Sequence, residues 1–159
     1  MGILSGILTF LGCGPQESSN KAASDSSGLV ATQIKIDGLT NELQKLREGK
    51  TEYDFIGITS TGVDCIYFVK EEQNFQIEFE ALVEQQLPYV EKLKTFATSN
   101  GYKVSMTTYG NKPKYTTASE APVVRIETNS DLENTARIGT IIQRFIFGNG
   151  EATVYNVVP

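Results

Sequence analysis

Histidine is missing altogether from this chain of 159 residues, which removes both the commonest general base and the commonest transition-metal ligand. A serine triad and a histidine-built zinc site are excluded. Cysteine is nearly as scarce: Cys13 and Cys65 are the only two, and a zinc site without imidazole needs several thiolates. The two could bridge only if the start of the chain packed back on the body, because a disulfide needs Cα atoms within about 7 Å. Glycine is present, but not as a phosphate cradle. Gly57 and Gly62 lack the Gly-Lys-Ser/Thr ending and the following helix that such a loop requires. Beyond the opening segment no apolar run approaches the roughly 20 residues needed to cross a bilayer, so that part reads as soluble. A basic patch is also lacking. The chain carries 14 Lys and Arg against 19 Asp and Glu, a formal charge of -5 at pH 7, and polyanions are repelled by such a surface. Lys103, Lys112 and Lys114 are scattered along a strand and turn. Nucleic acid is excluded as a partner, and no metal or cofactor is expected.

The chain opens on a short apolar run, Ile3 to Gly12, that ends at Cys13; the first charged side chain is Glu17. A secretory apolar region of about 7 to 15 residues has this size. The segment Phe10-Leu11-Gly12-Cys13 resembles the cleavage box of a bacterial lipoprotein signal, in an atypical form with Phe10 where that family usually has Leu. The resemblance covers about thirteen residues at the front of the chain. It implies acylation of Cys13, a spacer that holds the rest off the membrane, and a place in the cell envelope; the alternative location is cytoplasmic. The same run also fits an amphipathic segment on a membrane or another subunit, a helix packed on the domain, or a leader foreign to it. Myristoylation is a near miss, with Gly6 where Ser or Thr belongs.

From Gly14 to Gly28 the residues are mostly Ser, Ala, Asn, Gln and Gly, a composition that buries too little apolar surface to offset ordering. This is a linker. Leu29, Thr32, Ile36, Leu39, Leu43 and Leu46 then recur at spacings of three and four, which predicts an amphipathic helix over 29–49 ended by Gly49. Gly38 interrupts it at a cost of about 1 kcal/mol. Such a helix can dock on the following domain or form a short coiled coil between copies.

Residues 50–159 read as one α+β domain. Strands are expected at Phe55 to Ser60, Cys65 to Lys70, Phe75 to Glu80, Tyr102 to Tyr109, Val123 to Thr128 and Ala152 to Val158. A helix opens at Pro88, and another follows Asn129-Ser130-Asp131 with Leu132, Ile138, Ile141, Ile142, Phe145 and Ile146 facing inward. The order β-β-β-α-β-β-α-β points to a mainly antiparallel sheet with helices on one face. Phe75, Ile77 and Phe79 alternate strictly with Gln76, Glu78 and Glu80, so that strand is expected to have one buried and one wet face.

Little of this carries chemistry. Cys65 lies among apolar strand residues, where an inert buried thiol is ordinary. Glu78 and Glu80 share a strand face and, with Asp54, are the carboxylates available for acid and base work. The irregular stretch from Gly110 to about Pro122 is long enough to carry a binding surface. The reading that follows is a non-enzymatic protein-interaction or structural module, possible to tether at a membrane by its N-terminus and self-associating through its N-terminal region. Its expected contact residues are Leu29, Ile36, Leu39, Leu43, Leu46, Tyr109 and Tyr115, and its partner is a protein or a second copy. The alternatives are a small cofactor-independent enzyme or ligand-binding domain using carboxylates, and a subunit of a larger homo-oligomer.

Overall fold

The computed structural model describes residues 31–115 and 119–159. Cys13, Leu29, the opening apolar run and the linker expected over 14–28 lie outside the described residues. Strand β1 (Gln33–Lys35) leads through a 3₁₀ turn (Ile36–Gly38) into α1 (Leu39–Arg47). A meander follows, β2 (Phe55–Thr59), β3 (Ile66–Glu71) and β4 (Asn74–Glu80). Next come α2 (Leu87–Ser99), β5 (Lys103–Thr107), β6 (Val123–Ser130), α3 (Leu132–Ile141), a π-helical turn (Ile142–Ile146) and β7 (Val154–Val158). The strands form one seven-stranded sheet in the order β1-β7-β2-β3-β4-β6-β5. Every neighbouring pair is antiparallel. The expected α+β class and helix placement therefore hold, with β1 as an additional edge strand.

The helices lie on one face because only that face is apolar along every central strand. Ile56, Ile58, Ile66, Phe68, Phe75, Ile77, Phe79, Val124, Ile126 and Tyr155 make one core with Leu39, Leu43 and Leu46 of α1, Leu93 and Ala97 of α2, and Leu132, Ala136 and Ile138 of α3. At Gly139 helix α3 comes so close to β3 that an added Cβ would sit 2.7 Å from Cζ of Phe68. Asp131 caps α3 by accepting a hydrogen bond from the Asn134 amide.

Three expectations are corrected. First, the helix foreseen over 29–49 starts only at Leu39, because Gln33, Ile34 and Lys35 pair with Asn156, Tyr155 and Val154 of β7. Ile36, Leu39, Leu43 and Leu46 are consequently closed inside the domain's own core and form no exposed stripe. Burying a large aliphatic side chain is worth about 2 kcal/mol, and a stripe this short gains more by docking on its own sheet than in a free coiled coil. Second, Phe145 does not face inward; it is 79% exposed. The π turn places one more residue in that turn than an α-helix does, so Phe147 instead reaches the core and packs on Phe79 and Tyr89. Third, the wet face of β4 is not wet. Gln76, Glu78 and Glu80 are buried together with Phe75, Ile77 and Phe79.

Candidate functional site

The face of the sheet turned away from the helices explains that burial. The register puts Tyr67 of β3 on one side of Glu78 and Arg125 of β6 on the other. Two long neighbours thus flank a central-strand carboxylate that is 3% exposed. Arg125 donates from Nη1 to Glu78 Oε1 at 2.8 Å, and its Nη2 pairs with Glu71. The amide of Gln76 extends the row, donating to Asn129 Oδ1 at 2.7 Å and to Glu71 Oε2 at 3.2 Å. Next to this polar row, Tyr53 stacks on Phe55 with centroids 5.3 Å apart, and Phe55 meets Tyr67 edge to face at 6.0 Å. The Tyr67 ring lies across Gly57, where a Cβ would meet it at 2.9 Å.

Glu80 is covered differently. Among the described residues between β5 and β6, Asn111, Lys114 and Tyr115 fold back over the end of β4. Tyr115 donates its hydroxyl to the Ala81 carbonyl at 2.9 Å, and the Lys114 and Ala81 amides bond to the Leu82 and Pro122 carbonyls at 2.8 and 3.0 Å. Asn111 donates to both Glu80 oxygens, at 2.9 and 3.2 Å. Pro113 and Ala121 of this segment and Val123 at the start of β6 are buried.

The electrostatics follow from this packing. Burial pushes the Glu78 carboxyl above the ordinary range, and the Arg125 guanidinium opposes that shift without cancelling it. Burial also raises Glu80, with the Asn111 amide as the opposing influence. Glu71 is held low by its hydrogen bond from Arg125. A fourth carboxylate, Asp64, organises the β2–β3 turn. Burial would raise it, but hydrogen bonds from Ser60, Thr61, Thr59 and Asn149 outweigh burial and hold it low. Gln143, in the π turn, donates to the Asp64 carbonyl at 2.9 Å and ties that turn to α3.

The expected site residues therefore separate. Glu78 and Glu80 share one face, as expected, but each is engaged by a side chain of the same domain. Asp54 stands apart: it is exposed before β2, and its carbonyl accepts from the Lys70 amide at 2.9 Å. Cys65 is buried just before β3. Tyr115, expected as a contact residue, is an anchor for the folded-back segment. Tyr109 is 44% exposed, beside the end of β5. Among the described residues, no group of three or more Asp, Glu or Cys is placed to hold a metal ion. Arg125 and Asn111 went unforeseen; an Arg on the same strand face as Glu127, alternating with inward-facing Val124 and Ile126, was the available signal for the first, and nothing local marks the second.

One part of the sheet stays open. β5 pairs on one side with β6, from Lys103↔Glu127 to Thr107↔Val123, and among the described residues no strand pairs with its other side. Its Met106 is 47% exposed. The opposite edge, β1, has only three residues. Such an edge offers unpaired backbone N–H and C=O groups to an incoming strand. Comparison of the chain with family models, with curated proteins and with solved structures returns no match.

Proposed function

We propose that this domain is a non-enzymatic protein-binding module that engages its partner at the β5 edge. One observation carries the reading: a five-residue edge strand, open on one side, lies next to exposed Met106 and Tyr109. The commitments of the carboxylates support it from the other direction. Glu78 is in an ion pair, Glu80 is under Asn111, and Asp64 holds a turn, so these three acidic groups serve the fold. The test is a photo-crosslinking residue placed at Thr107 in the native host, with Glu133 on α3 as the control position. A crosslinked product at Thr107 and none at Glu133 is the expected result; no product at Thr107 refutes the edge as a binding surface.

The lipoprotein-like start gives this module an address in the same proposal. Acylation at Cys13 would hold it at the membrane of the cell envelope, with the polar spacer as tether. Cys13→Ser is expected to move the protein from the membrane fraction to the soluble one, and unchanged retention counts against the tether.

A further inference from the structure

Resting on that reading of the β5 edge, we infer that its partner is a second copy of this chain, joined by antiparallel β5–β5 pairing about a two-fold axis at Ser105. The argument lies in the order of side chains along Lys103–Thr107. A two-fold at Ser105 sets Lys103 opposite Thr107 of the partner strand, Val104 opposite Met106, and Ser105 opposite Ser105. All five residues are used, and no charge faces a like charge.

The two faces of the strand then sort themselves. Val104 and Met106 point to the helix side, as shown by their pairing with Ile126 and Val124 of the core. Pairing with a second copy lays each Val104 across the exposed Met106 of the other, and cross-strand apolar pairs are the unit of sheet stabilisation. On the outer face Lys103 already has its counter-charge in Glu127, at 3.2 Å. The chain's net charge of -5 is thus not concentrated at the contact. Shifting the pairing by one residue toward either end about the same kind of axis leaves part of the strand unpaired, so the Ser105 axis is the one the five residues favour.

Ser105→Glu isolates the interface from the fold. Ser105 is in register with Arg125 on β6, so a glutamate there has a cation beside it within its own chain, but across the axis it faces a second glutamate. The expected result for the full-length protein, by analytical ultracentrifugation over a concentration series, is a reversible dimer. Ser105→Glu should weaken it by at least about tenfold, more at low salt, with an unchanged thermal midpoint at concentrations where both proteins are monomeric. Residues directly opposed in an antiparallel pair have Cα atoms about 4.5–5.5 Å apart, within disulfide reach. Ser105→Cys in a Cys13→Ser background should therefore give a crosslinked dimer under mild oxidation, while Glu133→Cys should not. A wild-type monomer at all concentrations overturns the inference, as does a dimer indifferent to Ser105→Glu and uncrosslinked at Ser105→Cys. The Thr107 photo-crosslink separates the two readings. A product of twice the chain mass supports self-pairing; a product with a different protein removes the second copy but keeps the binding edge; no product removes both.

Discussion

Replacing Arg125 with Met tests the account of the outer sheet face most severely. The substitution keeps much of the side-chain volume and removes only the charge that faces Glu78, 2.8 Å away. Glu78 is 3% exposed, so the remaining carboxylate has neither water nor a cation. Breaking a buried pair from one side costs about 3–5 kcal/mol. The Arg125 side chain is 25% exposed, which argues for the lower end, about 3 kcal/mol. Loss of the Glu71 contact adds little, since Glu71 is on the surface. For a domain of this size the loss corresponds to a fall in thermal midpoint on the order of 10 °C. The pH dependence has a definite sign. Glu78 is already raised by burial, and removing Arg125 raises it further. The substituted domain therefore gains stability relative to wild type as pH falls and the carboxyl takes up a proton. A second substitution, Glu78→Gln, should restore the protein to within about 1 kcal/mol of wild type, because a neutral pair of similar volume carries no stranded charge. Urea unfolding of the four proteins at pH 7 and pH 4.5 gives the cycle. The reasoning fails if Arg125→Met costs less than about 1 kcal/mol at pH 7, or if Glu78→Gln does not rescue it.

Two further predictions concern stability alone. Glu80 is raised by burial, and its side-chain partner among the described residues is the neutral amide of Asn111, so the folded state favours its protonated form; that contribution is complete below the ordinary carboxyl value and is lost as pH rises through the raised one. Glu80→Gln should therefore stabilise the domain by on the order of 1 kcal/mol at pH 8, with the gain vanishing near pH 4, as read by thermal melts across pH. Gly139→Ala should destabilise by about 1–2 kcal/mol, since the strain of a Cβ at 2.7 Å from the buried Phe68 ring exceeds the gain in helix propensity. Adding Phe68→Leu to Gly139→Ala should cost less than the two single changes summed, because it removes the atoms that clash.

How far the fold was legible depends on what each sequence signal reports. Alternation over Phe75–Glu80 correctly aimed the phenylalanines and Ile77 at the helices. It says which face a side chain takes, not what lies on that face, so it could not reveal Tyr67 and Arg125 flanking Glu78 or Asn111 lying over Glu80. Helical periodicity found α1, yet it ran on through Gln33–Lys35 because three residues at a sheet edge are too few to display a period of two. It misplaced Phe145 because a fixed 3.6-residue repeat cannot register a π turn. The Ser60–Asp64 stretch read as a turn, and it is one. The hydrogen bond that ties it to Asn149 spans 85 residues, a separation no local pattern encodes.

The same distinction explains why the candidate site emerged only from topology. In composition β5 resembles β6, and both alternate. What separates them is position: β6 is sandwiched between β4 and β5, whereas β5 ends the sheet. Strand order is a property of long-range pairing, set here by the return of β7 to lie beside β2 and by the folding of β6 between β4 and β5. Among the described residues the result leaves the Lys103–Thr107 backbone open on one side, while Glu78, Glu80 and Asp64 are engaged inside the fold. Protective edge features are sparse there: a single Lys, Lys103, which is already paired to Glu127, and no proline. An edge with so little to discourage pairing is either covered in use or prone to aggregate, and a self-complementary order of side chains favours the first of these.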